Sequence, residues 1–179
     1  MSLELLNTLV AIATFIVIGA TALAALVQLR HLRASNELSA LVGMSQAFIP
    51  PETVLSGLRI AHAGLEEKMA DADYRRAIVE GTFNPADHPE ILLCTWFEQV
   101  GTFLKTGLIA ERILFEWNAG AYSRYWDLLS GPIAITRRRS PWAYQNFEYL
   151  SARARKWLAA HPAGTYPRGE ARLPVADRW

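Results

Sequence analysis

The sequence predicts an all-α protein: one N-terminal transmembrane helix continuing into a stalk, a small cytoplasmic helical bundle and an extended C-terminal tail. Three observations support this prediction. The mean hydropathy is positive, at +0.10, and the 25 residues from 5 to 29 carry no charge. In the rest of the chain, apolar residues recur at three- and four-residue spacing, and no segment shows the sustained alternation that is typical of a β-strand.

Residues 5–29 follow a short N-terminal segment, residues 1–4, and are long enough to cross a bilayer. As a helix they extend about 37 Å, whereas the hydrocarbon core is about 30 Å thick. A cleaved signal peptide is the other interpretation, because Ala22 and Ala24 form a small-x-small site. However, a signal peptide begins with positive charge, and the residues before this run contain Glu4 and no Lys or Arg. We therefore expect a permanent transmembrane helix.

The charges beside this helix predict its orientation. Only Glu4 precedes it, whereas Arg30 and Arg33 follow it as basic residues at the membrane interface. Because positive residues stay in the cytoplasm, the N-terminus is expected outside and the rest of the chain inside. The single cysteine, Cys94, excludes an intrachain disulfide and suits a reducing compartment.

Small residues on the membrane helix favour contact with a second helix. Their spacing lets another backbone approach closely, although Ala and Gly are common in membrane helices in general. The residues of this face are Gly19, Ala20, Thr21, Ala24 and Ala25.

The remainder of the chain is predicted to form a series of short helices. No proline interrupts residues 30–48, so the membrane helix is expected to continue as a stalk over residues 30–50, until Pro50 and Pro51 stop it. A helical domain is predicted over residues 51–161. Its helices are predicted at 52–62, 65–80, 87–106, 110–135 with a bend near 118–120 and a distortion at 131–132, and 140–161 with Ser140 as the cap.

The tail, residues 162–179, contains three prolines and two glycines and cannot form a core of its own. Its last residue, Trp179, is predicted to anchor the tail on a partner, because aromatic residues dominate binding hot spots.

Charge is distributed unevenly along the chain. Residues 51–136 contain 7 basic and 12 acidic side chains, and residues 137–179 contain 9 basic and 3 acidic ones. The basic end either contacts anionic lipid or a partner protein, or pairs with the acidic middle of the same chain. Its clustered members are Arg137, Arg138, Arg139, Arg153, Arg155 and Lys156.

No pattern in the sequence predicts a catalytic, metal or cofactor site. The histidines are scattered, and His62 and Glu66 are interpreted as a solvated pair four residues apart. Cys94 lies among apolar residues and is expected to be buried. A net charge of +1 and the lack of a recognised motif argue against nucleic acid, and no small-molecule substrate is expected. Four tryptophans are expected to pack in the core: Trp96, Trp126, Trp142 and Trp157.

Several short motifs together resemble a bacterial family of single-anchor helical proteins known only as a domain of unknown function. The resemblance implies a membrane anchor with a cytosolic helical domain and supplies no catalytic residue. The location expected for the chain is the bacterial inner membrane. The motifs are Gln28-Leu29-Arg30-His31, Phe97-Glu98, Lys105 to Ile109, Tyr125-Trp126, Trp142 and Asn146 to Leu150.

Three hypotheses for function follow. The first is a non-enzymatic accessory or scaffold subunit of a larger bacterial membrane complex, for which an energy-transducing complex, respiratory or photosynthetic, is one host. Its partners would be the lipid bilayer and other integral membrane subunits. The second is a membrane-anchored regulatory module that acts alone or as a homodimer. The third is an enzyme, which a pocket joining His62 or His88 with two carboxylates would favour.

Overall fold

The computed structural model describes residues 3–176; between residues 5 and 48 it describes the whole backbone but not every side chain. All the regular secondary structure within these residues is helical, with no β-strand, which confirms the predicted all-α class. The helices are α1 (Leu3–Phe48), α2 (Pro51–His62), α3 (Leu65–Ala70), α4 (Ala72–Glu80), α5 (Pro89–Lys105), α6 (Glu111–Leu128), α7 (Ser130–Arg139) and α8 (Gln145–Ala160).

The chain divides into two compact units, residues 1–47 and residues 48–179. The described part of the first unit is α1, a single helix of 46 residues. This helix continues without a break to Phe48, the first residue of the second unit. The predicted continuation of the apolar helix into a stalk is therefore confirmed. Pro50 and Pro51 end α1 and begin α2, where a proline is tolerated because the first-turn N–H groups have no helical partner.

In the second unit, α5 is the central helix. It packs against both α2 and α8, α6 packs against α8, and α4 packs against α7. The centre of the core is aromatic: the ring of Phe97 stacks on Phe147 with centroids 4.6 Å apart, and Trp126 meets Phe147 edge-on at 5.1 Å. Both phenylalanines are almost completely buried. A smaller cluster of Ile78, Ile91 and Ile135 joins α4 and α7 to α5.

Two glycines allow α5 to lie very close to its neighbours. A Cβ atom on Gly57 of α2 would be 2.7 Å from the carbonyl oxygen of Pro89 and 2.8 Å from the Cβ atom of Leu93. A Cβ atom on Gly101 of α5 would be 2.1 Å from the carbonyl oxygen of Asn146, at the start of α8. Since both obstacles include backbone, neither contact can be relieved by a side-chain rotation.

The prediction of one continuous helix over 65–80 is wrong, because the chain forms two helices that are separated at Asp71. The Asp71 side chain accepts a hydrogen bond from the N–H of Asp73 at 2.8 Å and from that of Tyr74 at 3.4 Å, so that it caps α4. An aspartate at this position competes with the helix for backbone donors. The predicted bend near residue 118 is confirmed, since Asn118 has non-helical angles (φ −162°, ψ 50°) within α6.

The predicted start of the last helix at Ser140 is also wrong. Ser140 ends α7, where its N–H donates to the carbonyl oxygen of Thr136 at 3.1 Å, and α8 begins only at Gln145. Tyr144 precedes α8 in the left-handed region, with φ 58°. Trp142 lies in the intervening turn and is 71 % exposed, so the prediction that it packs in the core is wrong, whereas Trp96, Trp126 and Trp157 do pack there.

Replacing Gly101 with alanine is expected to destabilise the domain, because the added methyl group meets the backbone of α8. Overpacking of this kind typically costs about 1–3 kcal/mol. Gly120→Ala is the matched control, since its Cβ atom would meet nothing within 4 Å and alanine favours a helix. Thermal unfolding followed by circular dichroism compares the two variants, and equal melting temperatures would contradict the close approach.

Candidate functional site

The segment Asn7–Arg30 of α1 is long and apolar enough to cross a membrane, and none of its most apolar window is buried within the chain. Its threonine hydroxyls bond within the helix: Thr14 donates to the carbonyl oxygen of Val10 and Thr21 to that of Val17, each at 2.8 Å. Such bonds satisfy the hydroxyl groups without water. The side chains of this segment therefore offer an apolar surface with few unsatisfied polar groups.

The predicted small-residue face lies on this segment and is open. Gly19, Ala20, Thr21, Ala24 and Ala25 are all exposed, and a Cβ atom on Gly19 would meet nothing within 4 Å. Arg30 is exposed at the end of the segment, and Arg33 belongs to α1, with a side chain outside the described part of the structure. Contact of this face with another helix stays a prediction.

Most of the predicted basic contact residues are engaged within the domain. Arg137 donates to Glu148 at 2.7 Å and to the carbonyl oxygen of Ala143 at 3.0 Å, and it lies over the ring of Trp126. Arg139 donates to the carbonyl oxygen of Glu80 at 2.7 Å, at the end of α4. These two arginines therefore connect α7 to its neighbours.

Two more basic residues connect α8 to α6. Arg153 forms an ion pair with Glu111, and Arg155 donates to Asp127 at 2.6 Å and to Ser123 at 3.1 Å. In the part of the chain that the structure describes, Arg138 and Lys156 are exposed and have no ionic or hydrogen-bond partner. Of the two alternatives for the basic end, pairing with the acidic middle thus accounts for Arg153 and Arg155, while lipid or partner contact stays a prediction.

Nothing in the sequence indicated that Glu98 has a structural role of its own. Its Oε2 atom accepts hydrogen bonds from the N–H groups of Asn146 at 2.9 Å and Phe147 at 2.8 Å. These are first-turn donors of α8, whose own N-cap residue, Tyr144, provides no side-chain bond. A carboxylate here also stabilises the positive end of the helix. Glu98 therefore caps α8 from the neighbouring helix α5.

Asn146 is held in turn by two residues of α5. Its amide group donates to the hydroxyl oxygen of Thr102 at 3.0 Å, and its amide oxygen accepts from the ammonium group of Lys105 at 3.2 Å. Glu98, Lys105 and Asn146 all lie in the motifs that carry the family resemblance, so these motifs encode the joint between α5 and α8.

An open pocket of about 520 Å³ lies where the ends of α2 and α6 meet α3 and the start of α7, and it brings His62 together with Glu66 and Asp127. His62 Nε2 is 2.8 Å from the Tyr125 hydroxyl, and its Nδ1 is 3.5 Å from the Arg124 guanidinium. Asp127 is paired with Arg155. Among the described residues, no group of three His, Cys, Asp or Glu side chains is placed to hold a metal ion.

A second polar group lies buried between α4 and α5. Glu90 is completely buried, and its Oε1 atom accepts from the Tyr74 hydroxyl at 2.8 Å and lies 3.1 Å from Nδ1 of His88. The His88 ring stacks on Tyr74, with centroids 3.9 Å apart. Burial, together with the hydrogen bond to Glu90, raises the pKa of Tyr74 well above its usual range.

Cys94 is completely buried, as predicted. Burial and the nearby charge of Glu90 raise the pKa of its thiol well above the usual range. Because the thiolate is the nucleophilic form of cysteine, the buried Cys94 thiol is expected to be unreactive toward thiol reagents.

The described part of the tail begins after α8. Arg172 lies over the ring of Tyr166 and donates to the carbonyl oxygen of Ala163 at 3.2 Å, so this part folds back on itself. Leu173 and Val175 are 85 % and 95 % exposed. The predicted anchor Trp179 lies outside the described residues.

The fold defines an all-α protein with one N-terminal helix that is apolar enough to span a membrane. The chain belongs to the family of the domain of unknown function DUF4760, whose model matches residues 15–157. This confirms the resemblance inferred from the sequence motifs. Neither the curated proteins nor the solved structures contain a match.

Replacing Glu98 with alanine is expected to lower the free energy of unfolding by about 2–3 kcal/mol, because two hydrogen bonds to a charged group are lost. The control is Glu67→Ala, because Glu67 is exposed on α3. This substitution is expected to change the free energy of unfolding by less than about 0.5 kcal/mol. Chemical denaturation measures both. Equal values for the two variants would show that Glu98 does not cap α8.

The raised pKa of Tyr74 predicts a loss of stability at alkaline pH. Above about pH 10 a tyrosine of the unfolded chain releases its proton, whereas folded Tyr74 keeps it. The unfolded chain then binds fewer protons, so stability falls as the pH rises.

The variant Tyr74→Phe tests this linkage. At pH 8 its free energy of unfolding is expected to be about 1 kcal/mol lower than that of the wild type, because the hydrogen bond to Glu90 is lost. Above pH 10 its stability should fall less steeply than that of the wild type, by up to about 1.4 kcal/mol per pH unit. Thermal unfolding between pH 8 and 11 measures the slopes, with the exposed Tyr149→Phe as control. Parallel curves for Tyr74→Phe and the wild type would refute the linkage.

Proposed function

We propose that the chain is a non-enzymatic accessory or scaffold subunit of a larger complex in the bacterial inner membrane. The observation that carries this proposal is the apolar segment Asn7–Arg30, which has no burial within the chain. An exposed apolar helix of this length needs lipid or other membrane helices around it. The helical domain would then be held at the membrane by α1.

The family match supports a permanent anchor over a cleaved leader. The matched region begins at residue 15, so it includes more than half of the apolar segment and runs across the alternative cut after Ala24. A leader peptide is removed from the mature protein and is not part of its folded domain. The uninterrupted course of α1 to Phe48 supports the same interpretation.

The charges at the two ends of the apolar segment support an orientation with the domain in the cytoplasm. Glu4 precedes the segment, whereas Arg30 is its last residue and Arg33 follows it, and basic residues are retained on the cytoplasmic side.

The tail supports a role in binding a partner protein. Leu173 and Val175 are exposed on a segment without helix or strand. Covering such apolar side chains with another surface removes them from water, which is favourable in free energy. We propose that the tail clasps a neighbouring subunit, with Trp179 as its terminal anchor. A respiratory or photosynthetic complex is one host of this kind.

The pocket at His62 is the observation that favours an enzyme instead. It contains the histidine and the two carboxylates that a general acid–base site needs. However, His62 is paired with Tyr125, and Asp127 with Arg155. These contacts connect α2 to α6 and α6 to α8, and they support a structural role for the pocket residues.

Isolation of the tagged full chain from membranes in mild detergent tests the proposal. The expected result is co-purification of other integral membrane subunits. The double variant Leu173→Ser/Val175→Ser is expected to weaken their binding by about tenfold or more, because each apolar side chain contributes more than about 1 kcal/mol when buried.

The matched control is Ala171→Ser/Ala176→Ser, which introduces the same residue at neighbouring positions of the tail with little change in apolar area. Recovery of the chain always alone, with a protease-sensitive tail, would count against a subunit role. A mature chain that begins after Ala24, or a reporter fused after Trp179 that is active only outside the cytoplasm, would refute the proposed anchor and orientation.

A further inference from the structure

A stripe of large apolar side chains is exposed on α6. Ile113 and Trp117 lie four residues apart and are 68 % and 74 % exposed. Leu158 of α8 is 41 % exposed, and it lines, together with Trp117, a hollow of about 260 Å³. Single exposed apolar residues are ordinary, but a contiguous group marks an interaction site, and tryptophan is enriched among the residues that dominate binding.

The local fold explains why these side chains face outward. Leu114 and Phe115 of the same turns are buried in the core, which directs the opposite side of the helix to solvent. The segment ends at Asn118, where α6 bends and the Asn118 side chain accepts from the N–H of Ala121 at 3.3 Å. The outward residues, called here the α6 surface, are Arg112, Ile113, Glu116 and Trp117.

We infer that the α6 surface binds the same surface of a second copy of the chain. A two-fold contact joins one patch to itself, so the patch must be complementary to itself. Arg112 and Glu116 form an ion pair at 2.9 Å along one edge of the stripe. When two such helices pack antiparallel, the order of residues is reversed. Arg112 of one copy then lies opposite Glu116 of the other, and Ile113 lies opposite Trp117.

The charges of the α6 surface fit a second copy better than a lipid surface. The charge of Arg112 is balanced by that of Glu116, so the surface has no net positive charge to attract anionic headgroups. The hollow beside Trp117 offers space for an apolar side chain from the opposite copy. Each copy thus provides both the projecting side chains and the space that receives them.

The four residues of the α6 surface are far fewer than the roughly 20–30 residues that each partner contributes to a standard interface. Tethering compensates for this difference, because two copies anchored in one bilayer have a raised effective concentration. This step alone rests on the proposed membrane anchor. The self-complementary arrangement of the α6 surface does not depend on it.

The oligomeric state of the full chain in lipid vesicles, measured by energy transfer between donor-labelled and acceptor-labelled copies over a range of protein-to-lipid ratios, tests the inference. The wild type is expected to form dimers, and Trp117→Ala is expected to raise the dissociation constant at least about tenfold. Trp142→Ala is the matched control, because Trp142 is 71 % exposed and lies outside the α6 surface. Far-ultraviolet circular dichroism checks that each variant keeps its helices.

Charge reversal separates pairing between copies from pairing within one copy. Arg112→Glu alone and Glu116→Arg alone are each expected to weaken self-association, because like charges then face each other. An equal mixture of the two variants should restore dimers, since the two carboxylates of the first variant then face the two guanidinium groups of the second. Loss of an ion pair within a chain would not be repaired by mixing.

Three results would overturn the inference: a monomeric wild type, a Trp117→Ala variant that dimerises as well as the wild type, or a mixture of charge variants that stays monomeric. The second result would place self-association elsewhere, for example on α1. The proposed host complex is tested through the tail, so the failure of one proposal is distinguishable from the failure of the other.

Discussion

The helical domain depends on the close approach of α5 to two neighbouring helices. Gly57 and Gly101 remove the side chains that would separate α5 from α2 and α8, and the rings of Phe97 and Phe147 can then stack at 4.6 Å. The same proximity brings the Glu98 carboxylate within hydrogen-bond distance of the first turn of α8. Packing and capping therefore have one geometric origin, which explains why α8 begins without a cap from its own sequence.

The first unit obeys a different constraint. In α1 the backbone donors and acceptors are paired along the helix, and described threonine hydroxyls bond to carbonyl groups one turn earlier. Little of the polar chemistry of this segment needs water, while its apolar side chains are exposed. The second unit instead has an apolar core, and several of its charged side chains form ion pairs at the surface. The two units thus satisfy their polar groups in ways that suit different solvents.

The sequence alone predicted the features that depend on composition and spacing. The uncharged run identified α1, and apolar residues at three- and four-residue spacing identified the helix predicted over 87–106, which is α5. It failed where one residue competes with a regular pattern: Asp71 takes backbone donors from a helix, and Trp142 lies in a turn before α8. Blocks of opposite charge indicated attraction between segments, but specific pairs such as Arg153 with Glu111 depend on the fold. The role of Glu98 was missed because its partners are backbone groups 48 and 49 residues away.

The burial of Cys94 has a practical consequence for the study of this chain. The only native thiol is enclosed by the core and held in its unreactive form, so reagents that modify sulfur should not mark the folded wild type. A cysteine introduced at any exposed position would then be a unique attachment point for a spin label or a fluorophore. The native cysteine need not be replaced before distances and motions are recorded in the folded chain.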